Sequence, residues 1–171
     1  MSHISKLIIV MLFSGMLIFL LGACSDSEVN DRAAQTGDTV SVHYTGTLSD
    51  GSQFDTSRER GPLTFVLGGG QMIAGFDAAV QGMKTGEKKT VVIPPDQAYG
   101  EHDPDKIVTI DRSQFAEGSQ LYVGLQVSLR ASNGQTVPGV ITEVKPGYVK
   151  VDLNHKLAGK ELTFEIELVS I

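Results

Sequence analysis

The sequence predicts an α+β fold in which an antiparallel sheet wraps one short helix, with a small all-β segment beside it. Three observations lead to this class. Apolar and polar residues alternate in several short runs, which is typical of half-buried strands. A single stretch near residue 76 has the apolar spacing of a helical face. The elements also lack the repeated strand–helix–strand order of a parallel sheet.

The chain of 171 residues begins with an apolar block that we do not expect to belong to the fold. The first six residues contain one Lys, Arg, Asp or Glu, namely Lys6. The apolar run "LIIVMLFSGMLIFLLGA" follows and ends immediately before Cys24. A basic residue, an apolar stretch and a small-residue junction are the parts of a secretory signal. The run is at the short end for spanning a bilayer core of about 30 Å. We therefore predict a signal peptide over residues 1–23.

Cys24 is the only cysteine, so it has no disulfide partner within the chain. The sequence "LGAC", followed by a polar stretch, resembles a bacterial lipobox, whose cysteine is acylated and becomes the new N-terminus. This resemblance implies lipidation of Cys24 and attachment to a membrane of the bacterial cell envelope. The small, polar residues that follow predict a flexible tether, so that the tether covers residues 24–36. An ordinary uncleaved anchor or a chance cysteine is the alternative.

The first strands follow the tether. "TVSVHYTGTL" (39–48) alternates in polarity and predicts a half-buried strand. An Asp-Gly turn at 50–51 follows it, and "PLTFVLG" (62–68) predicts a short strand. The residues expected on the inner face of the first strand are Val40, Val42 and Tyr44.

The predicted helix lies in "FDAAVQGM", and it is about two turns long. Its apolar residues have the i, i+3, i+4, i+7 spacing of one face, and Gly82 is placed where a helix commonly ends. "KKTVVIPP" then predicts a strand that two prolines terminate. The apolar face consists of Phe76, Ala79, Val80 and Met83.

Three consecutive glycines, Gly68 to Gly70, precede this helix and raise the question of a phosphate-binding loop. Such loops need either a following Gly-Lys-Ser/Thr or a G-x-G-x-x-G motif within a strand–helix–strand unit, and neither is present. The residues after the glycines are apolar. The net charge of −6 and the lack of a basic patch also disfavour nucleic acid as a partner.

Short β runs fill the segment from Ile107 to Asp152. Asn-Gly at 133–134 and Pro-Gly at 146–147 predict two turns between antiparallel strands. The chain closes with "LTFEIELVSI", whose alternation predicts a last strand.

Several of these motifs, in this order, resemble the FKBP-type peptidyl-prolyl cis-trans isomerases over about 60 residues. The similar elements are "HYTG", "DGSQFDTS", "MIAGF", "GMKTGEK", "IPPDQAYG" and the closing "LTFEIELV". The resemblance implies an FKBP-like sheet, a proline-binding pocket and isomerisation of X-Pro bonds. It implies no cofactor, because no bond to carbon is made or broken.

Position by position, the resemblance also implies the site. Aromatic rings would grip the proline ring, the Ile73 backbone N–H and the Tyr99 hydroxyl would bind carbonyls, and Arg60 would help to orient Asp55. Phe76 replaces a common tryptophan, and Leu63 replaces a common aromatic residue. The implied catalytic residues are Tyr44, Phe54, Asp55, Ile73 and Tyr99, and the implied substrate-binding residues are Leu63, Phe65, Met72, Phe76 and Phe164.

Residues 108–152 have no counterpart in the short-flap members of the family. Together with "YVKVDLNHKLAGKELTFEIELVSI", they resemble the SlyD-like subgroup, in which an insert-in-flap domain binds unfolded chains. The implied isomerase domain is then 37–107 plus 153–171. The metal-binding tail of some SlyD-like proteins is missing, so we expect no metal site.

The function predicted is acceleration of X-Pro rotation in polypeptides that fold outside the cytoplasm, by a monomer. Two other functions stay open: a holdase with little isomerase activity, and an inactive surface lipoprotein that reuses the fold. From the residues alone, the phenylalanines could also be ordinary core. Asp55 could be a turn former, and Tyr99 a half-buried surface residue.

Overall fold

The computed structural model describes residues 32–116, 118–130 and 134–171. The predicted signal peptide and Cys24 lie outside these residues. No helix in the described part is long and apolar enough to cross a membrane. The strands are β1 Thr39–Leu48, β2 Gln53–Thr56, β3 Leu63–Val66, β4 Lys88–Ile93, β5 Ile107–Asp111, β6 Gln126–Arg130, β7 Thr136–Val144, β8 Tyr148–Asp152 and β9 Leu162–Ser170. One α-helix, α1, lies within the described residues at Ala74–Val80, and 3-10 turns lie at Pro95–Gln97, Pro104–Lys106 and Arg112–Gln114.

The first sheet has five antiparallel strands, with β1 and β9 at its centre. The strand order is β2-β1-β9-β4, and β3 pairs with β1 next to β2 on the same edge. β1 is long enough for both partners, because Thr39 to Val42 pair with β3 and Thr45 to Thr47 pair with β2. The predicted antiparallel α+β class is confirmed.

The core of this sheet follows from the alternation in the sequence. Val40, Val42 and Tyr44 of β1 point to one face and are buried. Every second residue of β9 is buried on the same face, as expected for a strand with one wet side. These β9 residues are Leu162, Phe164, Ile166 and Leu168.

Helix α1 packs against this face through the residues that the spacing predicts. Phe76, Ala79 and Val80 are buried, and Met83 folds back into the core just after the helix. Gly82 has a φ of +83°, which is the left-handed conformation that commonly follows a helix end. Seven residues make a marginal helix in isolation, so burial of this face must hold it.

A second sheet is formed by the segment between residues 107 and 152. Its strand order is β5-β8-β7-β6, and all its pairs are antiparallel. Both predicted turns join paired strands, although Asn133 itself lies outside the described residues. This sheet has its own hydrophobic cluster around Ile141, Val149 and Val151.

The segment from residue 34 to 36 is folded onto the domain, which corrects part of the predicted tether. Ala34 is 1% exposed, its N–H donates to Met83 O, and its carbonyl accepts from the Gly82 N–H. Thr36 packs against Gly68. The sequence suggested a tether because the stretch is small and polar. Small residues also fit close to a helix end, and that is the role they have here.

Candidate functional site

A hollow of about 470 Å³ opens on the face of the first sheet that carries α1. Its walls come from β1, β2, β9, the start of α1 and the loop after β4. Aromatic residues and a few polar groups line it together, as is usual for a ligand pocket. The lining residues are Tyr44, Phe54, Asp55, Gln71, Met72, Ile73, Ala74, Phe76, Ala98, Tyr99 and Phe164.

Edge-to-face aromatic contacts form the floor of the hollow. The Phe76 and Phe164 rings are 5.2 Å apart at 80°, and Tyr44 lies 5.7 Å from Phe76 at 83°. Phe54 meets Phe164 at 5.6 Å and 90°. Such arrangements bring the positive edge of one ring to the negative face of the next, so the rings hold one another in place.

Gly46 makes room for this floor. It is on the same face of β1 as Tyr44 and pairs with Phe164 across the sheet. A Cβ atom on Gly46 would lie 2.6 Å from Phe54 Cζ and 3.0 Å from Phe164 Cε1. The "HYTG" motif contains this glycine, but sequence reasoning gave it no role.

The edge of the hollow carries a hydrogen-bonded Tyr–Asp–Arg set. The Tyr44 hydroxyl donates to Asp55 Oδ2 at 2.6 Å, and Arg60 Nη2 donates to Asp55 Oδ1 at 2.6 Å. Burial, followed by the bond to Asp55, raises the pKa of Tyr44 to about 12. Tyr44 therefore stays protonated at neutral pH and holds the carboxylate at the rim.

Two polar hydrogens at the mouth of the hollow have no partner in the described part of the chain. The Ile73 backbone N–H precedes α1 and donates no hydrogen bond there, although the Ile73 carbonyl accepts two from the helix. The Tyr99 hydroxyl likewise makes no hydrogen bond to any described residue, and Tyr99 is 42% exposed. Both groups can therefore donate to a bound molecule.

Leu63 and Phe65 do not line this hollow. Phe65 is buried beneath Phe76, with ring centroids 6.0 Å apart, so it supports the floor from below. Leu63 faces a separate cleft that it shares with Tyr44 and Arg60. The hollow thus contains eight of the ten residues that the sequence suggested, and these two lie behind and beside it.

The three glycines before α1 shape a turn. Gly68 and Gly70 have φ values of +75° and +70°, a region that side chains strongly disfavour. A Cβ on Gly68 would also lie 2.6 Å from Thr36 Cγ2. The turn delivers Met72 and Ile73 to the wall of the hollow.

Comparison with known proteins identifies the family. The sequence model of the family "FKBP-type peptidyl-prolyl cis-trans isomerase" matches residues 30–169 of this chain. The chain belongs to the FKBP-type isomerase family. It is 36% identical over 147 residues to a protein of Pseudomonas fluorescens named "Probable FKBP-type 16 kDa peptidyl-prolyl cis-trans isomerase", covering 86% of this chain and 97% of that protein.

Other FKBP-type relatives agree. The FKBP-type 16 kDa peptidyl-prolyl cis-trans isomerase of Escherichia coli K12 is 34% identical, over 82% of this chain and 95% of its own. The isomerase SlyD of Vibrio cholerae is 37% identical, over 77% of this chain and 65% of its own. The enzyme class predicted from the sequence, a peptidyl-prolyl cis-trans isomerase, is therefore confirmed.

Sequence reasoning missed one further residue beside the FKBP hollow. His155 stacks on Tyr99, with ring centroids 3.9 Å apart and planes at 10°. The sequence does not indicate this contact, because two residues this far apart in the chain leave no local pattern. His102 also has a partner, since its Nε2 lies 2.8 Å from Asp152 Oδ2.

Proposed function

We propose that the aromatic hollow is the catalytic site, where it binds the proline ring of a polypeptide and favours the twisted state of the X-Pro bond. The observation that carries this proposal is the combination of an edge-to-face aromatic floor with two lining donors, the Ile73 N–H and the Tyr99 hydroxyl, that have no partner among the described residues. Phe54, Phe76 and Phe164 grip the ring. The Ile73 N–H and the Tyr99 hydroxyl bind substrate carbonyls.

The physical task suits such a site. Rotation about the bond faces a barrier of about 18–20 kcal/mol because the twisted amide loses resonance. An apolar hollow removes water that favours the planar, more dipolar amide, and fixed donors bind carbonyls in the twisted geometry. A thousandfold acceleration requires only about 4 kcal/mol of differential binding. No nucleophile takes part.

Two-dimensional exchange NMR on an Ala-Leu-Pro-Phe tetrapeptide tests this site, with the full chain in detergent micelles. Tyr99→Phe and Asp55→Ala should each slow the exchange catalysed by the protein. Tyr148→Phe is the matched control, because the Tyr148 hydroxyl donates to Glu143 on the second sheet and Tyr148 does not line the hollow. If both site variants keep the wild-type rate, the roles of Tyr99 and Asp55 are refuted.

We also propose that the second sheet is an insert-in-flap domain, over residues 108–152, that binds unfolded polypeptides. It has a separate hydrophobic cluster, and Tyr122 and Val123 are 58% and 64% exposed in the loop before β6. Ile141 of this segment is fully buried, and Leu121, Leu125 and Val127 pack against its cluster. The proposed contact surface is therefore the Tyr122–Val123 loop.

Deletion of this sheet separates the two activities. The Leu153 N–H donates to Lys106 O at 3.0 Å, so the chain ends left by removing residues 108–152 are already close together. The deleted protein should keep tetrapeptide isomerisation and lose suppression of aggregation of an unfolded protein. Unchanged suppression refutes the chaperone role. Suppression by the full chain with no catalysis of the tetrapeptide favours the alternative, a holdase.

A third part of the proposal concerns location. The signal-like segment and the lipobox-like "LGAC" support a monomeric lipoprotein, acylated at Cys24 and held at the periplasmic face of a bacterial membrane. Mass spectrometry of the N-terminal peptide from membranes should find acyl chains on Cys24. Cys24→Ser should abolish them, and an unmodified N-terminus in the wild type would contradict the anchor.

A further inference from the structure

The contact between Tyr99 and His155 joins two distant loops at the rim of the hollow. Tyr99 follows the 3-10 turn after β4, whereas His155 lies between the second sheet and β9. The ring centroids are 3.9 Å apart with nearly parallel planes, a closer approach than any ring pair of the floor. One face of the Tyr99 ring is therefore covered by His155.

A hydrogen bond within its own loop fixes the orientation of the His155 ring. Its Nδ1 accepts the Leu157 backbone N–H at 3.2 Å, which leaves the proton of the neutral ring on Nε2. Leu157 is anchored in the core at 5% exposure. Partial loss of water around the ring, and the nearby Lys156, lower the pKa of His155, so the ring stacks in its neutral form.

Backbone and side-chain bonds fix the two loops to each other on either side of the stack. The Gly159 N–H donates to Gly100 O at 2.8 Å. Asn154 accepts the Asp103 N–H at 3.0 Å and donates to the Asp103 carbonyl at 2.8 Å. The loops are thus fixed by hydrogen bonds, whereas the Tyr99 side chain itself has none in the described part of the chain.

We propose that His155 is a positioning residue for the isomerase reaction: by stacking on Tyr99, it holds that ring in the orientation that presents the hydroxyl to a substrate carbonyl. An exposed tyrosine without this contact would populate other rotamers, each of which removes the donor from the site. The inference rests on the proposed role of the Tyr99 hydroxyl. His155 transfers no proton, because the reaction requires none.

The size of the effect follows from the stack. An aromatic pair contributes about 0.5–1.5 kcal/mol beyond the area it buries, and tenfold in rate corresponds to about 1.4 kcal/mol. His155→Ala should therefore lower kcat/KM by about twofold to twelvefold. His155→Phe keeps a flat ring at the position and should restore most of the rate. Lys160→Ala, in the same loop as His155 but exposed and outside the lining of the hollow, is the control and should leave kcat/KM unchanged.

A double-mutant cycle with Tyr99→Phe tests the proposal, using the full chain in detergent micelles and the Ala-Leu-Pro-Phe tetrapeptide. If His155 acts through the tyrosine hydroxyl, His155→Ala should change the rate less than about twofold in the Tyr99→Phe background. Equal losses in both backgrounds would overturn the inference, as would no loss in the wild-type background or a failure of His155→Phe to restore the rate. If Tyr99→Phe does not change the rate, the proposed role of the Tyr99 hydroxyl is wrong, and the inference about His155 is wrong as well. If Tyr99→Phe lowers the rate but His155→Ala does not, only the inference about His155 is refuted.

Discussion

The Tyr44 hydroxyl donates a 2.6 Å hydrogen bond to Asp55 across the edge of the aromatic hollow. Tyr44 is 8% exposed, whereas the Asp55 side chain is 44% exposed, so the pair joins the buried floor to the solvated rim. β1 and β2 position the two residues, because Asp55 pairs with Gly46 two residues beyond Tyr44. The link keeps a carboxylate in a defined orientation at the rim of the hollow.

Tyr44→Phe should weaken both the fold and the site. The ring and its contacts stay, but Asp55 loses the donor that faces the hollow. Hydrogen bonds to charged groups contribute about 1.5–3 kcal/mol when they are well shielded, and we expect about 1–2 kcal/mol here because Asp55 is partly solvated. Urea unfolding measures the loss. Tyr148→Phe, which removes a 3.3 Å bond to Glu143 on the second sheet, is the matched control with a smaller expected effect.

Gly46→Ala should lower activity through Phe54. The new Cβ would lie 2.6 Å from Phe54 Cζ, so that ring must move out of its place in the wall. We expect kcat/KM for the tetrapeptide to fall at least about tenfold, with about 1–3 kcal/mol of lost stability from overpacking. Gly147→Ala is the control, since a Cβ there meets nothing within 4 Å and its φ is not positive. Equal activity of the two variants would contradict this account of the wall.

Acid should weaken the junction between the two sheets through Asp152. Burial opposes ionisation of this carboxyl, but bonds from His102 and Asn154 outweigh it and hold the pKa of Asp152 below 3.8. A lowered folded pKa gives stability that is present above 3.8 and lost as the pH falls through the folded value. Between about pH 5 and about pH 2.5, the wild type should therefore lose more stability than Asp152→Asn, as measured by urea unfolding. Parallel curves for the two proteins would contradict the bonding of this carboxylate.

Removing the folded part of the predicted tether should destabilise the domain. A protein beginning at residue 37 lacks both backbone bonds of Ala34 and its burial beside Met83, whereas one beginning at residue 32 keeps them. With about 0.5–1.5 kcal/mol for each hydrogen bond, the shorter protein should be about 1–3 kcal/mol less stable. Thermal unfolding of the two proteins makes the comparison. Identical midpoints would show that these residues contribute nothing.

The elements that were predictable from the sequence are those whose cause is local. The alternation in β1 and the spacing in α1 directly describe which residues face the core, and the structure follows them. The sequence predicts no strand where β2 lies, because four residues carry little periodicity. Pairing with β1 makes this segment a strand. The hollow itself was predictable through a family resemblance, which already encodes long-range contacts.

The features that escaped prediction depend on contacts between distant segments. The stack of Tyr99 on His155 requires the return loop after the second sheet, and nothing near either residue indicates the other. Leu63 was placed in the pocket by its position in a motif, but β3 directs it to the neighbouring cleft. In both cases the position of the side chain depends on how strands distant in sequence are arranged in the sheet, and short sequence motifs do not contain that information.

The most direct test of the central claim, that proline binds in the aromatic hollow, is an NMR titration of the isotope-labelled protein with the Ala-Leu-Pro-Phe tetrapeptide. Saturable shifts should appear at the Ile73 amide and at the ring signals of Tyr99 and Phe164. Shifts confined to the Tyr122–Val123 loop, with the Ile73 amide unmoved at saturation, would contradict it.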